Sequence, residues 1–111
     1  MVIVMFIINN ILWRIKYINP GDYRLMRSDG SWTVGMTDGI ERTVYISDVL
    51  RGAYLERVLC HEICHCICFS YNLSIPIETE EILADWVSLY GREVFRVLDD
   101  ILSGSTLTVN G

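Results

Sequence analysis

His61-Glu62-Ile63-Cys64-His65 sets two imidazoles four residues apart, with a carboxylate directly after the first. On an α-helix, positions i and i+4 lie one above the other, so both rings can reach a single metal ion. Glu62 sits about 100° further round the same helix, beside the ion and suited to take a proton from a water there. The chain has only two histidines, and this pattern uses both. Zinc is the metal such a donor set suits.

A catalytic zinc needs a third protein ligand and an open position. With no further histidine, a carboxylate or a thiolate must serve. Glu81 is one candidate, and Asp85 follows it at i+4, placed to hold a ligand imidazole through its outer nitrogen. Glu80 and Glu78 are alternatives without that spacing. Cys68 is the last, but His61 and Cys68 are about 10 Å apart along a straight helix, which suits a tetrahedral ion poorly. Core or half-exposed thiols are the better reading of Cys60, Cys64, Cys66 and Cys68. Four cysteines within nine residues of one helix are a poor disulfide framework, which points to reduced thiols and a cytoplasmic setting.

These residues must be positioned by helices. After Ser47-Asp48, apolar residues recur at helical spacing from Val49 to Ile67, predicting a helix over about 49–70 with Ser47 or Asp48 as its cap. Pro76 interrupts. A second helix is expected from Thr79, its N-cap, to about 102, with Leu83, Trp86, Val87, Tyr90, Val94, Val97, Leu98 and Ile101 as an apolar stripe. Tyr90 reads as part of that packed stripe. Ahead of the helices the chain has strand character. MVIVMFII at 1–8 reads as a buried strand or a first helical turn, too short for a membrane span. Strands are expected at 11–18, 23–27, 32–36 and 43–47, separated by turn signals at Asn19-Pro20-Gly21, Ser28-Asp29-Gly30 and Thr37-Asp38-Gly39. The fold class is α+β, one domain over residues 1–111, with an antiparallel or mixed sheet of three or four strands.

The composition suits a packed globule: 111 residues, 51% of them apolar. The net charge of −5 and the sparse arginine pairs, Arg24 with Arg27 and Arg92 with Arg96, give no nucleic-acid face.

His61-Glu62-x-x-His65 followed by Glu81-x-x-Ala84-Asp85 resembles the gluzincin metallopeptidases, and the short chain is most similar to minigluzincins and to small phage or prophage metallopeptidases of that kind. The resemblance spans roughly residues 32–100. It implies a short sheet packed on two long helices, one zinc held by His61, His65 and Glu81, Glu62 as general base, and Asp85 orienting His61. It also implies a peptide or protein substrate paired along an edge strand, which by position falls on Thr43, Val44, Tyr45, Ile46 and Ser47. Minigluzincins can be latent when their own tail fills the cleft, and residues 104–111 are the candidate segment here. The function expected is peptide-bond hydrolysis. The alternative is a zinc-holding regulatory module of the same fold with little chemistry.

Overall fold

A computed structural model describes residues 3–104, which include every candidate site residue named above. Residues 105–111, and with them almost all of the segment considered for self-inhibition, lie outside the described residues.

The α+β class holds. Strands β1 (Ile3–Ile8), β2 (Ile11–Ile18), β3 (Gly35–Asp38) and β4 (Thr43–Ser47) precede helices α1 (Gly52–Ser70) and α2 (Ile77–Ser103). The sheet order is β1-β2-β4-β3, with β2 and β4 parallel and the other two pairs antiparallel. Asn9 and Asn10 join β1 to β2 at φ values of 50° and 62°. This is the left-handed geometry that a two-residue hairpin requires and that asparagine tolerates.

α1 lies on one face of the sheet, and Trp13, Ile15, Val44, Ile46, Leu50 and Cys66 form the core there. The Trp13 indole donates to Ser70 Oγ at 2.7 Å, and the Asn9 amide donates to the Ser70 carbonyl at 3.0 Å. One helix C-terminus is thereby fastened to the first hairpin, meeting a carbonyl that has no partner within the helix. The opposite face of β4 is covered by a smaller cluster of Ile18, Leu25 and Tyr45, in which Leu25 comes from a short 3-10 turn at Tyr23–Leu25. α2 packs on α1, antiparallel to it. Its C-terminus closes on Gly104 in the left-handed conformation, φ 76°.

Several expectations need correction. Thr43, Val44, Tyr45, Ile46 and Ser47 do not form an edge strand: β4 is interior, and all five residues are buried. A strand covered on both faces belongs inside a sheet, and the preceding strand folds back to its outer side. β3 is the edge. Residues 23–27 form the 3-10 turn and a single bridge between Met26 and Trp32, not a strand. β1 is a strand but not a buried one; as the opposite edge it leaves Ile3, Met5 and Ile7 exposed. Neither helix uses the predicted cap. α1 starts at Gly52 after Arg51, and α2 starts at Ile77 after Pro76, whose carbonyl accepts from the Thr79 and Glu80 amides. Tyr90 is half exposed against Trp86, not in the core.

Candidate metal centre

α1 and α2 run in opposite directions, so residues later in α2 meet residues earlier in α1. Asp85 therefore reaches His61, Glu80 reaches His65, and Glu81 lies between both rings. The Asp85 carboxylate is 2.8 Å from His61 Nδ1, and Glu80 Oε2 makes a short contact with His65 Nδ1. Each carboxylate can accept the Nδ1 proton of its imidazole. This fixes the tautomer that leaves Nε2 bare.

Both Nε2 atoms then turn to the same point. They are 3.2 Å apart; Glu81 Oε2 is 3.1 Å from that of His61, and Glu81 Oε1 is 2.9 Å from that of His65. In that tautomer each ring offers a lone pair here, and the carboxylate adds more. With each Nδ1 proton directed to its carboxylate, four acceptor atoms converge here. A cation at their centre satisfies them all, and the donor set of two imidazoles and one carboxylate suits a transition metal. One ligand atom each from His61, His65 and Glu81 lies within 4.8 Å of the others, so this group could hold a metal ion. The site opens into a cavity of about 620 Å³ walled by α1, α2 and β3.

Glu62 stands beside this point. Its Oε2 is 3.9 Å from His61 Nε2, and its Oε1 accepts a hydrogen bond from the Thr37 hydroxyl at 2.9 Å. Burial raises its proton affinity above that of an ordinary carboxylate, and the Thr37 hydrogen bond works against this in part. Thr37 reaches it because β3 lies unusually close to α1. A Cβ on Gly35 would meet Val58 Cγ1 at 2.8 Å and Glu62 Cγ at 3.2 Å, so glycine permits that approach.

All four residues expected at the site, His61, Glu62, His65 and Glu81, come together, and Asp85 takes the supporting place beside His61. Glu80 lies on the outer nitrogen of His65, away from the point where His61, His65 and Glu81 converge, and Cys68 lies beside Glu80. The strand residues 43–47 are absent from the cavity wall; Gly35, Met36 and Thr37 of β3 stand there instead. Thr37 was missed because its sequence context reads as a turn. Glu80 carried a usable signal: in an antiparallel helix pair, an acid before the bridging Glu81 faces the later imidazole. The four cysteines are free. Burial pushes the Cys64 thiol up to about 11 and that of Cys66 up to about 12, so neither is an activated nucleophile. Arg24, Arg92 and Arg96 are each paired with an acid: Asp22, Glu56, and Asp100 with Glu93. Among the described residues, no helix is long and apolar enough to cross a membrane.

No protein-family model, curated protein or solved structure matches this chain. The functional reading therefore rests on the residues and their geometry.

Proposed function

We propose that this protein is a zinc-dependent peptidase of the gluzincin kind. The observation that carries this reading is the convergence of His61, His65 and Glu81 on one point with the buried Glu62 alongside. Bound there, zinc would act as a Lewis acid, lowering the pKa of a water and polarising the scissile carbonyl.

The protein's own groups supply the rest. Thr37 holds one Glu62 oxygen, so the other faces the reacting atoms in a fixed orientation. Glu62 accepts the proton of the attacking water and returns it to the leaving amine; a proton affinity raised by burial suits a base that must also serve as an acid. Asp85 and Glu80 keep the two imidazoles aimed inward. β3 is the edge strand beside Glu62, and although the Thr33 hydroxyl meets the Gly35 amide and carbonyl, an extended peptide can add along this edge at Thr37 as a further strand.

Glu62→Gln keeps the shape and removes the base. It should lower kcat by roughly 10²–10⁴-fold while zinc content, read by elemental analysis, stays near that of the wild type. Full activity in Glu62→Gln would overturn the assigned role. A purified wild type without bound zinc would overturn the reading itself.

A further inference from the structure

We propose that the cleft selects peptides carrying a carboxylate just beyond the scissile bond, on its C-terminal side, and that Arg57 and Arg27 receive it. This inference rests on the peptidase reading and adds a substrate class to it.

The direction of the bound chain comes from the packing of β3 on α1. Gly35 lies against Val58 and Glu62, Thr37 bonds to Glu62, and a Cβ on Gly39 would strike Phe69. β3 therefore runs the same way as α1. A peptide added antiparallel to β3, the better-bonded arrangement, enters beside Phe69 and leaves beside Val58. With its scissile carbonyl at His61 and His65, its leaving-group side extends toward the start of α1.

At that end the cavity wall holds two cations, Arg57 and Arg27. Arg57 is one helical turn before His61, about 6 Å along the axis. An extended chain advances about 3.3 Å per residue, so a carboxylate one or two residues past the cleaved bond comes within reach of its guanidinium. Arg57 is exposed and has no acidic partner among the described residues. Arg27 arrives from the segment after the 3-10 turn and makes only 3.5 Å hydrogen bonds, to Ser31 Oγ and the Trp32 carbonyl. The remaining arginines outside the cavity that pair with acids do so over the surface, as Arg24, Arg92 and Arg96 do. The acids of the cavity are all engaged, Glu80, Glu81 and Asp85 by the imidazoles and Glu62 by the Thr37 hydroxyl. Arg57 without a carboxylate, and Arg27 with only the exposed Asp29 of its own turn nearby, face a cleft whose acids are all taken. A planar, charge-assisted pair with a substrate carboxylate completes them.

The carboxylate could be an acidic side chain or the free C-terminus of a short peptide. The test uses the zinc-loaded full chain and four peptide sets read by mass spectrometry: acidic or neutral after the cleaved bond with amidated ends, neutral with a free C-terminus two residues beyond, and basic. Wild type should cleave one or both carboxylate-bearing sets about tenfold faster in kcat/KM than the neutral amidated set, the size of one charge-assisted bond. The set preferred identifies the source. In the Arg27→Ala/Arg57→Ala variant the ratio should fall toward one. In Arg57→Glu it should turn toward the basic set, a reversal that a merely structural role would not produce. Equal cleavage of all four sets by wild type would overturn the carboxylate preference and leave the peptidase reading standing. Cleavage of none would overturn both.

Discussion

The two helices differ in what covers their apolar residues. On α1, polar groups are inside: Glu62 and His65 are each 7% exposed. On α2, apolar groups are outside: Trp86 and Tyr90 are 50% exposed and Ile101 is 57% exposed. Burying a carboxylate and an imidazole is costly unless each is partnered, and here Thr37, Glu80 and Glu81 supply the partners. The side of α2 that meets α1 carries Glu80, Glu81, Ala84 and Asp85, so the candidate metal centre occupies its packing face. Its long apolar stripe points elsewhere, and among the described residues little covers it. α1 can turn polar residues toward α2 because the sheet beneath it provides a separate core. Among the described residues, α2 has no second layer behind it.

If that contrast is right, the core under α1 is where substitution hurts most. Trp13 is 1% exposed and is tied to Ser70. Trp13→Ala should cost about 3–5 kcal/mol in urea unfolding, enough to unfold much of a domain of this size. A loss under about 1 kcal/mol would mean that the hairpin and α1 are not one cooperative unit.

The supports of the imidazoles come next. Glu80→Gln and Asp85→Asn should each weaken zinc binding roughly 10–100-fold, read by competition with a chelating dye. Both should act, since each holds a different ring. An effect from Asp85 alone would mean that Glu80 is a bystander.

The thiols give a pH-dependent version of the same comparison. Cys66 holds its proton up to about 12, against an ordinary value of 9.0. Between those limits the unfolded chain loses this proton and the folded chain keeps it. The stability it contributes is therefore whole below pH 9 and falls as pH rises toward 12. At pH 10 the loss should be about 1 kcal/mol. Cys66→Ala should lack that share of the alkaline decline; parallel pH profiles for the two proteins would contradict the burial of the thiol.

How far the sequence reveals this arrangement depends on how local each relation is. His61, Glu62 and His65 are legible because a single helix fixes their spacing. Glu81 and Asp85 are legible as a second spacing of the same kind. Thr37 is not, because its role needs β3 at the sheet edge, and chain order conceals that. β3 precedes β4 in sequence yet lies outside it, since β4 pairs in parallel with β2. The same reordering moved the expected edge from residues 43–47 to residues 35–38. The α2 stripe shows the opposite failure. Its periodicity identifies a helix correctly, but period alone says which residues share a face and not whether anything lies against it.

That last point can be measured directly, and the expected effect is the smallest of all. Ile101 lies past the stretch where α2 meets α1, near the helix end. Replacing it with Gln removes apolar surface that the fold has not buried. It also trades a β-branched residue for a better helix former, a gain of a few tenths of a kcal/mol at most. Stability of Ile101→Gln in dilute solution should therefore stay within about 0.5 kcal/mol of wild type, against about 3–5 kcal/mol for Trp13→Ala. A cost above about 1 kcal/mol that grows with protein concentration would reverse the conclusion for this region. Mass action would then show that a second molecule covers the stripe, and the outer side of α2 would be a buried face like that of α1.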